Sequence, residues 1–120
     1  MGKHVHIKRA YEAAADQDGY RVFVDRLWPR GMSKQDLKYD AWNKDLAPSA
    51  DLRKWFCHKV ELWDQFRDSY QTELRAPEQL ARMRELIKAA GGKPITLVYG
   101  AKDTEHNNAV VLAAEIARLY

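Results

Sequence analysis

With 120 residues and a net charge of +3, the chain is long enough for one packed core and too short for two. A hydrophobic share of 46% and a charged share of 31% are ordinary for a globular domain, and no apolar run approaches the roughly 20 residues of a membrane span. The basic start at Lys3-His4 is not followed by an apolar stretch, so no secretory leader is expected. A single cysteine forms no internal disulfide, which predicts a reducing cytoplasm as the home of the protein. Charge is unevenly placed. Residues 1–60 carry 12 Lys/Arg against 8 Asp/Glu, and residues 61–120 carry 8 against 9. That favours acidic ligands near the N-terminal half, without the strong basic stripe expected of a dedicated nucleic-acid binder.

In chain order, Val5 and Ile7 alternate with polar neighbours and predict a first strand over 4–9. Tyr11 to Gly19 reads as a loop or short irregular helix. Residues 20–27 read as the second strand, ended by Pro29 and Gly31. Ser33 and Asp36 have capping-box spacing and predict a short helix over 34–38. Residues 39–44 are a third strand candidate. From Pro48 the hydrophobic period becomes helical. Ser49 suits an N-cap, with Leu52, Trp55 and Phe56 on one helix face. Trp63, Phe66, Tyr70 and Leu74 predict a helix over about 60–75. Pro77 opens the next helix, whose core stripe runs through Leu80, Met83, Ile87 and Ala90 to a stop at Gly91-Gly92. A strand at 94–99 follows, then a last helix over about 105–119.

Val22-Phe23-Val24 and Ile95-Thr96-Leu97-Val98-Tyr99 are continuous apolar runs, as strands covered on both faces require. The expected fold is α/β: a small, mainly parallel sheet of about four strands with helices on both faces.

Both apolar runs end in charge: Asp25-Arg26-Leu27-Trp28-Pro29-Arg30 after one, Gly100-Ala101-Lys102-Asp103 after the other. Ligands of open α/β sheets bind at the carboxyl ends of strands. If the two strands are parallel neighbours, Arg26, Arg30 and Lys102 converge on an anion, with Asp25 or Asp103 as candidate general base. Trp28 is placed to stack on a ring. Lys34 and Lys44 extend the basic wall, and Asn107 and Asn108 lie at the start of the last helix. The competing expectation is that these charges pair with one another and merely close the sheet.

Cys57-His58 has the residue types of a nucleophile and base, but neighbours on a helix point about 100° apart. His58 alone remains a catalytic candidate. His4 and His6 share a strand face without a further ligand cluster, so no metal is expected. No glycine-rich dinucleotide loop or phosphate loop is present, and no cofactor is implied. The four tryptophans, all within residues 28–63, predict an aromatic wall.

The segments Val24-Asp25-Arg26-Leu27-Trp28-Pro29-Arg30-Gly31, Ala41-Trp42-Asn43-Lys44-Asp45-Leu46-Ala47-Pro48-Ser49, Leu52-Arg53-Lys54-Trp55-Phe56-Cys57-His58 and Tyr99-Gly100-Ala101-Lys102-Asp103, with Asn107-Asn108-Ala109, resemble the YeaO-like branch of the domain-of-unknown-function family 488. The resemblance runs over nearly the whole chain and implies a single domain of that family over 1–120. It assigns no activity. In other branches the last strand ends in a cysteine followed by a Cys-His-Arg stretch. Here Tyr99 and Asn107-Asn108 occupy that region, so no thiol or metal chemistry carries over.

The expected function is binding of, and action on, a small anionic metabolite such as a nucleotide or sugar phosphate. The alternatives are a nucleic-acid-associated module, using the basic half and exposed tryptophans, and a non-catalytic regulatory domain that binds a partner.

Overall fold

A computed structural model describes residues 4–120 of the chain. Four parallel strands form one sheet: β1 (Val5–Arg9), β2 (Tyr20–Phe23), β3 (Ala41–Trp42) and β4 (Ile95–Tyr99), in the order β1-β4-β2-β3. The register pairs Val22 with Leu97 and Phe23 with Val98, so the carboxyl ends of β2 and β4 lie side by side. Every residue of β4 is buried, as its unbroken apolar run predicts for an inner strand.

Among the described residues, four α-helices complete the fold: α1 (Ala50–Phe56), α2 (Trp63–Leu74), α3 (Pro77–Ala90) and α4 (Asn108–Ala117). Ser49 caps α1, its hydroxyl accepting from the Leu52 amide at 3.2 Å and donating to Glu73 at 2.7 Å, which ties the helix start to α2. Buried residues of all four helices join the strand residues Val5, Val22, Ile95, Leu97 and Tyr99, and Val24 just past β2, in one core. Alternation along the strands sends Phe23 and Val98 to the other face, where Leu37, Trp28, Met32 and Trp42 cover them. The segment between β2 and β3 therefore serves as the second layer, built of turns.

Several boundaries differ from the sequence-based expectation, each for a local reason. The second strand stops at Phe23, although the Val24 amide still donates to Val98 at 3.0 Å, because the Asp25 side chain then bonds Gly100. Ser33 and Asp36 do form the reciprocal pair of a capping box, at 3.1 and 3.2 Å, but only a single turn follows. Helix nucleation without an amphipathic face to propagate along stays a turn. The last helix starts at Asn108 instead of 105, since the Asn107 side chain caps it by accepting from the Val110 amide at 3.1 Å. The stop at Gly91-Gly92 is as expected.

A second polar cluster sits on the turn-covered face. Asp18 is buried and accepts from Lys8 at 3.1 Å, from the Ala15 amide at 2.9 Å and from Arg21. Burial pushes its carboxyl up, but these donors outweigh that and hold it below the ordinary range. Thr96 donates to the Asp18 carbonyl at 2.7 Å, binding this cluster to the central strand.

Two outcomes follow from these contacts. Gly19 has φ +67°, and a Cβ there would lie 2.3 Å from the Pro94 carbonyl oxygen, whereas at Gly31, with φ +81°, nothing lies within 4 Å. Both Gly19→Ala and Gly31→Ala meet strain of about 1–3 kcal/mol. Gly19→Ala must also displace backbone, so denaturant titration should show the larger loss for it; equal losses would refute the close approach. Tyr70, fully buried, donates its hydroxyl to the Leu46 carbonyl. Tyr70→Phe should cost about 1–3 kcal/mol in the same titration, because that carbonyl loses its buried partner.

Candidate functional site

A cavity of about 310 Å³ opens at the carboxyl ends of β2 and β4. Three stretches build most of it: residues 25–30 after β2, Gly100 and Ala101 after β4, and α1 with the residues on either side of it; Tyr11, Phe66 and Asn107-Asn108 complete the wall. Asp25, Arg26, Arg30, Arg53 and His58 supply its acidic and basic side chains. Leu27, Trp28, Pro29, Pro48, Phe56 and Phe66 supply most of its apolar wall. A concave apolar site with a few convergent polar groups is the usual form of a small-molecule site.

Asp25 is fixed by the neighbouring strand end. One carboxylate oxygen accepts from the Gly100 amide at 2.8 Å, the other from the Asn108 side-chain amide at 3.2 Å. A Cβ at Gly100 would lie 3.2 Å from the first of these oxygens, so glycine there lets the carboxylate sit close to the backbone. The Asp25 carbonyl accepts from the Trp42 indole at 2.7 Å, which anchors the same residue to β3. Burial pushes the Asp25 carboxyl above its ordinary range. The Gly100 and Asn108 hydrogen bonds and the charges of His58 and Arg53 pull the other way without cancelling it.

The cations are arranged differently. Among the described residues, neither Asp25 nor Arg26, Arg30 or Arg53 belongs to any ion pair within 4.0 Å. Arg26 reaches only the Pro48 carbonyl, at 3.4 Å, and its Nε is buried with no hydrogen-bond partner among the described residues. Arg30 is exposed near the mouth, where its carbonyl accepts from the Tyr11 hydroxyl at 2.7 Å. The expectation that internal pairing closes this end of the sheet is therefore not met at these residues.

His58 reaches the cavity through a turn in which two successive non-glycine residues, Cys57 at φ 45° and His58 at φ 57°, are left-handed. Such conformations are uncommon and cost energy, and they concentrate at sites where the surroundings hold them. Cys57 caps α1 and is exposed, so its neighbour His58, not the thiol, lines the cavity.

Other predicted residues stand elsewhere. Asp103 turns toward α4, accepting from the Glu105 amide at 2.9 Å and the His106 amide at 3.0 Å, with the His106 ring also at 3.0 Å. These contacts hold its carboxyl below the ordinary range and make it a structural brace outside the cavity wall. Lys102 and Lys34 are exposed and line no part of the cavity. Lys44 lies 4.2 Å over the Trp42 ring, in a separate groove beside β3. Asn107 and Asn108 both line the cavity, but the Asn107 side chain is spent on capping and on the Asp103 carbonyl at 2.8 Å. Trp28 lines the cavity while its indole donates to the Met32 carbonyl at 2.7 Å and its ring packs edge-on against Phe23 and Trp42. His4 stacks on Tyr120, and among the described residues no three His, Cys, Asp or Glu side chains gather as a metal site.

Sequence reasoning missed Arg53 and Gly100. Arg53 stands three residues before Phe56, beside the apolar stripe of α1, and that spacing was its available signal. Gly100 contributes a backbone amide and the room for a carboxylate above it, and a glycine directly after an inner strand was its available signal.

Comparison with known proteins adds lineage. A family model described as "Inactive DUF488-N3 subclade" matches residues 4–120. The chain is 46% identical over 110 residues to uncharacterized protein YeaO of Escherichia coli strain K12, covering 92% of this chain and 94% of that protein. It is 40% identical over 109 residues to uncharacterized protein Mb3100c of Mycobacterium bovis and to uncharacterized protein Rv3073c of Mycobacterium tuberculosis, covering 91% of this chain and 90% of each. No solved structure matches. A family model spanning nearly every residue, with relatives this similar along their own lengths, establishes that the chain belongs to the DUF488 family, within its inactive DUF488-N3 subclade.

Proposed function

We propose that this protein is a cytoplasmic binding domain for a small anionic metabolite of the nucleotide or sugar phosphate kind, held in the cavity at the carboxyl ends of β2 and β4. The observation that carries this reading is the set of arginines lining one cavity without an ion pair among the described residues. Desolvating guanidinium groups is costly unless something compensates, and a planar anionic group is the partner their geometry fits. Arg26 and Arg53 grip the anion, Arg30 steers it at the mouth, and His58 adds a donor. The exposed thiol of Cys57 agrees with a reducing compartment.

Binding without turnover is the form of this reading that fits best. Asp103 is engaged at the start of α4 and stands away from the cavity, which leaves Asp25 as the only carboxylate among its lining residues. The subclade's description as inactive points the same way. Against a nucleic-acid module stands the placement of the rings: Trp28 and Trp42 pack against each other and Trp63 packs on Phe66, leaving Trp55, at 45% exposure, as the open tryptophan.

Thermal-shift measurements with inorganic phosphate, ribose 5-phosphate and nucleoside monophosphates test the reading. At least one should raise the melting temperature of the wild type. Arg26→Ala combined with Arg53→Ala should weaken that ligand at least tenfold, since each charge-assisted hydrogen bond is worth about 1.5–3 kcal/mol. An unchanged response in the double variant would overturn the assignment.

Asp25 gives a test that needs no ligand. Its folded-state pKa lies above the ordinary 3.8, so the native state holds the proton more readily than the unfolded chain. The ionised group therefore destabilises the fold above its folded pKa, and the load is relieved as pH falls toward the unfolded value. The melting temperature of Asp25→Asn relative to wild type should rise as pH increases from acid to neutral, whatever its absolute offset, since the variant also exchanges one accepting oxygen for an amide donor. A difference that falls with rising pH would contradict the burial-driven shift.

A further inference from the structure

The cavity holds one acidic side chain among its cations, and its setting narrows the ligand. Both oxygens of Asp25 are oriented by the protein, one by the Gly100 amide at 2.8 Å and the other by Asn108 at 3.2 Å. A carboxylate offers about four acceptor sites, so each oxygen retains one after these bonds. Asp25 lines the cavity and, among the described residues, has no cationic partner within 4.0 Å, despite Arg26, Arg30 and Arg53 on the same walls. A bare anion entering this space meets a like charge at its floor. An anion that also carries hydroxyls presents oxygens to the arginines and O–H donors to Asp25.

Resting on the anion-binding reading above, we infer that the site takes a phosphate ester of a pentose with free vicinal hydroxyls, alone or within a nucleotide, and that Asp25 is the residue that reads those hydroxyls. Two acceptor positions on one rigid carboxylate match two adjacent hydroxyl donors, whereas a single hydroxyl uses only one of them. Charge-assisted O–H···O⁻ bonds of this kind are short and strong. A volume of about 310 Å³ is at the small end of ligand sites and suits a pentose phosphate or a single nucleotide, not a dinucleotide. The base of a nucleotide would lie along Trp28, Pro29 and Phe56, whose apolar surfaces line the same space. Gly100 is part of the recognition device, because any side chain there presses on the Asp25 oxygen that must stay free to accept.

Calorimetric titration of the whole chain separates this inference from the broader one. The probes are inorganic phosphate, ribose 5-phosphate, adenosine 5′-monophosphate and its 2′,3′-dideoxy analogue. The wild type should bind at least one of the two hydroxylated esters tenfold or more tightly than phosphate, and the dideoxy compound at least tenfold more weakly than adenosine monophosphate. A preference for ribose 5-phosphate alone would identify the free sugar ester as the source, and a preference for the nucleotide would identify the base as a contact. Asp25→Asn should abolish the hydroxyl preference while binding phosphate as well as wild type or better, since a repelling charge is gone. Gly100→Ala, which leaves every charge in place, should blunt the same preference. If Asp25→Asn and Gly100→Ala both keep the wild-type ratio of hydroxylated to bare phosphate, the hydroxyl reading fails and the anion reading stands. If no phosphate compound binds the wild type, both fail.

Discussion

The parallel pairing of β2 with β4 is the constraint on which the rest of this molecule depends. It makes neighbours of two strand ends separated by more than 70 residues of chain, and it aims both at the same solvent-facing rim. Once they are adjacent, Asp25 reaches the Gly100 amide and the two ends are locked by a hydrogen bond to a half-buried carboxylate. The Trp42 indole, bonded to the Asp25 carbonyl, extends the lock to the third strand. The intervening chain supplies three of the four helices of one face, and α1 emerges under the rim with Pro48 and Arg53 already on the cavity wall.

The molecule treats its two groups of charges in opposite ways. On the turn-covered face, Lys8, Asp18 and Arg21 satisfy one another, and the Arg21 side chain also donates to the Lys38 carbonyl at 2.7 Å. That is a closed network of the sort that holds loops to a sheet, and it leaves little for a ligand to bind. At the carboxyl rim, the same residue types stand within one hollow without pairing. Burial pushes Asp25 up while stronger donors hold Asp18 down, so two aspartates near the ends of one strand have opposite electrostatic fates. The difference lies in geometry: Asp18 is met by the Ala15 amide and by two directly bonded cations, whereas Asp25 is bonded only by neutral amides, with its cations farther off.

Much of this was legible from residue order. The unbroken apolar runs gave the inner strands and their direction, and the charged residues following Val24 marked the rim of the sheet. Ser49, Pro77 and Gly91 marked helix ends through local backbone chemistry. What sequence could not resolve was how far a local signal propagates and where a side chain turns after its strand ends. Ser33 and Asp36 make both bonds of a helix start and no helix. Lys102 follows an inner strand as closely as Arg26 does, yet it is exposed while Arg26 lines the cavity. Arg53 comes to the site from a helix, and its contribution depends on α1 docking beside the strand ends. On the face opposite the main core the cover is made of turns, with Trp28, Leu37 and Trp42 packed on the sheet, a detail that the α/β pattern of the sequence does not resolve.

Gly100 has a consequence that reaches beyond the single chain. A methyl group in its place would sit against a carboxylate oxygen, while the backbone nitrogen it shares with that oxygen would still need an acceptor. The tolerated identities at positions 25 and 100 are therefore mutually conditional. Across the lineage the two should behave as one inherited character: a bulkier residue at the later position becomes tenable only where the earlier one has shortened or moved aside.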